Sequence, residues 1–214
     1  MTPQTKIKIC GLTNFADAQV AVEAGADMLG FIFFKPSPRY VAPETVKDIV
    51  ATIKSQVPTP PRFVGVFVNE SLDFVAETVA KCDLDLAQLH GEEKVEFIDA
   101  FSGQAFKACN PRSLAEAEAA ATTFLTQTTA PFIMMDAYHP QLRGGTGHTG
   151  DWAVAAQIAQ DHDLLLAGGL TPDNVATAIE QVNPWGVDVA SGVEARKGKK
   201  DHGKVRAFIQ AARG

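Results

Sequence analysis

The chain has 214 residues, 46% of them hydrophobic, and a formal net charge of −6 at neutral pH. That size suits one domain over 1–214 with a sizeable core, and the dispersed acidic balance leaves no footprint for nucleic acid or an anionic membrane. Cys10, Cys82 and Cys109 show neither CxxC nor metal-ligand spacing; with no secretory leader and no run near the ~18 apolar residues of a membrane helix, a reducing, cytoplasmic setting is expected.

Short β-branched or apolar runs alternate with amphipathic segments along the whole chain. KIKIC (6–10) precedes a predicted helix at 14–24, and MLGFIFF (28–34) precedes one at 43–54. FVGVFV (63–68) leads to 71–81, LDLAQL (84–89) to 92–101, and AFKAC (105–109) to 113–125. FIMMD (132–136), LLLAG (164–168) and WGVDVA (185–190) are followed by helical patterns at 151–160, 172–181 and 201–212. Ser71, Ser113 and Asp151 are placed to cap their helices, and Pro172 falls in a first helical turn. The connection 137–150, AYHPQLRGGTGHTG, is longer than a simple crossover needs.

Strict strand–helix alternation demands a parallel sheet, because parallel neighbours need a crossover. Eight such units, the last two strands running into the small-residue loops AGGL and ASGVE, favour a (β/α)8 barrel over an open doubly wound sheet. In a barrel the chemistry belongs at the strand C-termini and the loops that follow.

Those positions hold Cys10, Arg39, Gln88, His90, Asp136, Gly168, Gly169, Asp188, Ser191 and Gly192. Cys10 reads either as a small buried hydrophobe or as a reactive thiol. Lys8 shares its face and sits either inside the barrel, where its charge would lower the Cys10 pKa, or outside among the helices. Asp136 reads as a loop cap, or as a desolvated carboxyl with a raised pKa that can deliver a proton. Arg39 offers a fork to a carboxylate, with Arg143 on the long loop competing. The glycines and Ser191 allow several N–H groups to converge on a phosphate, and Gly144–Gly147 reads as a further anion loop or a lid hinge. The histidines lack metal spacing, so no metal is expected, and His90 reads as a pocket wall.

KICGLT, SPRYV, FVGVFVN, QLHG, MMDAY, GGTGHTGDW, LAGGLTPDNV and GVDVASGVE occur in that order. Together they resemble the phosphoribosylanthranilate isomerase family over essentially the whole chain. The resemblance implies an Amadori rearrangement of N-(5'-phosphoribosyl)anthranilate, in tryptophan biosynthesis, without cofactor or metal. It implies Cys10 as general base, Asp136 as general acid and Arg39 as the holder of the anthranilate carboxylate. Gly168, Gly169, Ser191 and Gly192 would take the phosphate, with Asp188 lining the pocket nearby. Gln88 and His90, from their place at the end of the fourth strand, are expected to line the substrate. A small-molecule substrate and a monomer are expected, a dimer being open. The chain departs from the family pattern at Gly150, where an aromatic is common, at Lys197-Gly198 in place of proline–glycine, and at Ala190 in place of serine. Rival barrels fit less well: a pentose-phosphate epimerase needs strand-end metal ligands, and an indole-glycerol-phosphate synthase needs strand-end Lys and Glu acids. A silent phosphate-binding scaffold would have no need of Cys10 or Asp136.

Overall fold

The computed structural model describes residues 4–124, 131, 133–136 and 149–214. Eight parallel strands close into a barrel in sequence order: β1 (Lys6–Ile9), β2 (Met28–Ile32), β3 (Arg62–Phe67), β4 (Leu86–Leu89), β5 (Ala105–Cys109), β6 (Ile133–Asp136), β7 (Leu164–Ala167) and β8 (Gly186–Val189). The crossovers carry α1 (Phe15–Glu23), α2 (Pro43–Gln56), α3 (Leu72–Lys81), α4 (Val95–Asp99), α5 (Leu114–Phe124), α6 (Thr149–Ile158) and α7 (Val175–Val182), and α8 (His202–Arg213) follows β8. This is the (β/α)8 architecture expected from the sequence. No helix among the described residues is long and apolar enough to cross a membrane.

The two-residue period of a strand sorts each run between two cores. Ile7, Ile9, Leu29, Phe31, Phe63, Ala87, Leu89 and Val187 face the helices. Met28, Val64, Leu86, Phe106, Met134 and Leu165 fill the barrel interior, with Trp185 packed against them. Because both faces are covered, the strands read as near-continuous apolar runs. The ring closes where β8 pairs with β1, Lys8 opposite Asp188. Below that seam Arg213, at the end of α8, donates to Thr5 O, Gly25 O and Asp27 Oδ2 at 2.7, 2.9 and 2.6 Å. The last helix is thereby tied to the first strand.

Two helix starts follow the expected caps: Ser71 Oγ accepts from Phe74 N, and Ser113 Oγ from Glu116 N. α1 is capped by Asn14, whose Oδ1 accepts from Asp17 N. Three boundaries differ. Asp151 lies inside α6, which starts at Thr149, so it is not the cap. Pro172 falls in a turn before α7, because Asn174 Oδ1 takes the Thr171 N–H and postpones the helix to Val175. α4 is shorter than 92–101, since Glu93 is occupied elsewhere: its carboxylate accepts from Asn69 N, Gly91 N and Lys107 Nζ. A feature with no forewarning in the sequence is an antiparallel pair after β8, β9 (Glu194–Arg196) with β10 (Lys199–Lys200).

Candidate active site

A cavity of about 390 Å³ opens at the C-terminal end of the barrel. Strand phase explains its lining. Lys8, Gln88, Met134, Leu165 and Asp188 point inward, so the residues two further along the same strands reach the mouth. Those are Cys10, His90, Asp136 and Ala167, with Ala190 at the corresponding place after β8. Gly168, Gly169 and Leu170 complete the rim after β7, and Ser191 and Gly192 do so after β8. The cavity thus gathers every sequence-predicted site residue except Arg39, which does not line it. Arg143 and the Gly144–Gly147 segment lie outside the described residues, as do His139 and His148. Among the described residues no cluster of three or more His, Cys, Asp and Glu gathers as metal ligands would.

Cys10 is 5% exposed. Gly30, on β2, makes its room, for a Cβ there would lie 2.7 Å from the Cys10 Sγ. Lys8 is fully buried inside the barrel, its Nζ 2.7 Å from Asp188 Oδ1. Burial alone would lower the Lys8 pKa, but the carboxylate of Asp188 and the neighbouring Cys10 outweigh it, and the ammonium is held above its ordinary value. The inward placement of Lys8 is one of the two alternatives that the sequence left open. The expected lowering of the Cys10 pKa is overturned. Burial pushes the thiol up, and Lys8 only partly opposes it because Asp188 acts in the other direction.

On β4, Gln88 Nε2 lies 3.0 Å from His90 Nδ1, while Gln88 Oε1 is buried with no partner among the described residues. Burial, reinforced by Lys8 and Lys107, lowers the His90 pKa, so the ring is neutral at pH 7. Lys107, itself buried, holds the loop after β4 by donating to Leu89 O, Gly91 O and Glu93 Oε2.

The loops after β7 and β8 meet tightly. Gly168 and Gly169 have φ of +93° and +65°, conformations that favour glycine. A Cβ on Gly192 would collide with the Leu170 carbonyl oxygen, so only glycine allows the two loops to touch. Among the described residues no backbone hydrogen bond between the loops takes the N–H of Gly169, Ser191 or Gly192. Together these loops bring closely packed glycine backbone to one rim of the cavity.

Arg39 sits at the edge, its fork taken by Glu194: Nε to Oε1 at 2.7 Å and Nη2 to Oε2 at 2.8 Å. Although burial pushes Glu194 up, Arg39, Lys200 and the Gly198 N–H hold its carboxyl below the usual range. Its hydrogen bonds to Glu194 use Nε and Nη2, not Nη1. Glu194 and buried Lys200 are site-supporting residues that sequence reading passed over. Their signal was weak: charged side chains in a loop are ordinarily solvated.

The family model described as N-(5'phosphoribosyl)anthranilate (PRA) isomerase matches residues 7–211. The chain is 45% identical to N-(5'-phosphoribosyl)anthranilate isomerase of Pelobacter propionicus, over 97% of this chain and 95% of that protein. It also superimposes on the crystal structure of phosphoribosyl anthranilate isomerase from Thermotoga maritima with a TM-score of 0.85 and 37% identity, covering 98% of each chain. A second such structure, in complex with reduced 1-(o-carboxyphenylamino)-1-deoxyribulose 5-phosphate, gives a TM-score of 0.83 at 35% identity, again over 98% of each chain.

Proposed function

Because the chain belongs to the N-(5'-phosphoribosyl)anthranilate isomerase family and catalyses that isomerisation in tryptophan biosynthesis, we propose that Cys10 and Asp136 are its general base and general acid. The observation that carries the assignment is their presence in one cavity, on strands separated in the ring by β7 and β8 and beside the glycine loops that follow those two strands. Acid and base must act on different atoms of one substrate, and β1 and β6 supply them from separate strands.

The reaction begins with a proton from Asp136 to the furanose ring oxygen. The C1'–O bond breaks while the anthranilate nitrogen lone pair forms the iminium. The C2' hydrogen is then acidic, because the cation takes up the electrons of the breaking C–H bond. Cys10, as thiolate, removes that proton to leave an enolamine, which tautomerises to the ketone 1-(2-carboxyphenylamino)-1-deoxyribulose 5-phosphate. Burial disfavours the thiolate in the free enzyme, but an iminium in contact with Sγ favours it by direct charge attraction. The base is therefore armed by the intermediate it acts upon.

Gly168, Gly169, Ser191 and Gly192 would hold the 5'-phosphate through N–H groups and the Ser191 hydroxyl. Gln88 Oε1, neutral His90 and Asp188 would meet the ribosyl hydroxyls or the anthranilate N–H, and Arg39 Nη1 the carboxylate. All of these groups lie on one chain, so a monomer with one 1–214 domain, working in the cytoplasm, suffices. The test is turnover of freshly generated phosphoribosylanthranilate, followed by loss of its fluorescence. Cys10→Ala and Asp136→Asn should each abolish nearly all of it, and near-normal kcat in either would refute that role.

A further inference from the structure

Lys200 ends β10 with its side chain buried. Its Nζ donates to Ala190 O at 2.8 Å and lies 3.6 Å from Glu194 Oε1, the oxygen that also accepts from Arg39 Nε. Its backbone N–H is anchored on Asp17 Oδ2 at 3.0 Å. Burying an ammonium is costly unless it is paired and hydrogen-bonded. Here its partners are the support of Arg39 and the first peptide of the loop after β8.

We propose that Lys200 is a positioning residue for the isomerisation: by gripping the Ala190 carbonyl it turns the Ser191 N–H into the cavity as a phosphate donor. The proposal rests on the reading of the loops after β7 and β8 as the phosphate site. In a planar trans peptide the C=O and N–H point in opposite directions. Ala190 and Ser191 line the cavity and Lys200 does not. A carbonyl directed at Lys200 therefore sends the following N–H to the cavity side.

The opposite orientation would present a carbonyl oxygen to the phosphate, and the buried cation opposes that flip. Asn174 grips the loop after β7 in the same manner, its Nδ2 donating to Gly169 O at 3.0 Å. Residues 168–170 and 190–192 contain no Lys or Arg, and the chain is acidic overall. Lys200 thus places a positive charge behind that phosphate site without touching the ligand. Its contact with the Glu194–Arg39 pair links the loop after β8 to that arginine.

Inorganic phosphate, used as a competitive inhibitor, tests this. Lys200→Met should raise both the phosphate Ki and the KM by about tenfold, with kcat much less affected, and Lys200→Arg should recover most of the loss. Gly169→Val, which blocks the phosphate site itself, should also relieve inhibition. If Gly169→Val relieves inhibition and Lys200→Met leaves Ki unchanged, the role of Lys200 is refuted and the phosphate site stands. If neither relieves it, the phosphate reading fails and the proposal with it. A fall in kcat at constant Ki and KM would mark Lys200 as merely structural and overturn the proposal. Should Lys200→Met not fold, Lys200→Gln replaces it. Its shorter amide falls short of Ala190, so Ki should still rise, and an unchanged Ki overturns the proposal.

Discussion

Lys8 Nζ and Asp188 Oδ1 lie 2.7 Å apart on adjacent strands inside the barrel, on the face of β1 that also carries Cys10. An ammonium already paired with a carboxylate lends a neighbouring thiol only part of its charge. Burial therefore wins, and the Cys10 pKa stands above that of an ordinary cysteine.

Alkylation of Cys10 in the free enzyme should accelerate with pH around a midpoint above the ~8.5 of a free thiol. Peptide mass spectrometry distinguishes it from Cys82 and Cys109. Lys8→Met should move the midpoint further up, at a stability cost of about 3–5 kcal/mol for the unpaired Asp188. A midpoint below that of free cysteine would mean that Lys8, not burial, governs the thiol.

The pH–rate profile should be bell-shaped, since one group acts deprotonated and the other protonated. The residual activity of Cys10→Ala should lack the acidic limb, and that of Asp136→Asn the basic limb. Loss of the same limb in both variants would contradict the division of roles.

Arg39→Ala should raise KM and erase the preference for substrates bearing the carboxylate, an effect of roughly 1.5–3 kcal/mol. It also strands Glu194, so Arg39→Ala/Glu194→Gln is the control for collapse of the loop. Restored discrimination in the double variant would show that Arg39 acts only by neutralising Glu194. The same loss from Arg143→Ala alone would move carboxylate binding to the long loop.

Ser191→Ala should weaken substrate binding by ~1 kcal/mol, the worth of one hydrogen bond. Gly192→Ala should do far more, because its methyl group meets the Leu170 carbonyl. Comparable, small changes in KM from both would count against the phosphate site.

Acid should destabilise the fold through Glu93. Burial alone would raise its pKa, but the Asn69 N–H and Lys107 lower it below the ordinary value. The stabilisation is complete above the unfolded carboxyl's pKa of ~4.3 and is lost as pH falls from there through the lower folded value. Glu93→Gln should cost about 3 kcal/mol at neutral pH and show a shallower decline of denaturation midpoint in acid. An identical slope for both proteins would exclude Glu93 as the source.

The barrel was legible because its signals are local. Strand–helix alternation placed Cys10, Gln88, Asp136 and Asp188 at or near strand C-termini, where a barrel keeps its chemistry, and left open which way Lys8 faces. What the sequence concealed depends on contacts between distant segments. Lys8 meets Asp188 only after the ring closes, and the sign of the Cys10 shift depends on that pairing and on burial together. Arg39 looked free because Glu194 lies far along the chain, on a short hairpin whose polar residues carry no strand period. The shortening of α4 has the same origin, since Glu93 is claimed by Lys107 and Asn69 from other crossovers.

The tie between Arg213 and the first turn of the barrel also bears on how the chain is made. During synthesis β1 emerges first, with its edge unpaired and Lys8 without its counter-ion, and both wait until Gly186–Val189 has been translated. Arg213 locks the seam later still. Early strands must therefore remain in a loose, unsealed sheet while the ribosome finishes, a state exposed to chaperones and proteases. Nascent chains arrested before Gly186 should be cleaved readily by added protease, whereas those released after α8 should resist. Equal resistance at both lengths would mean that the sheet consolidates without its final strand.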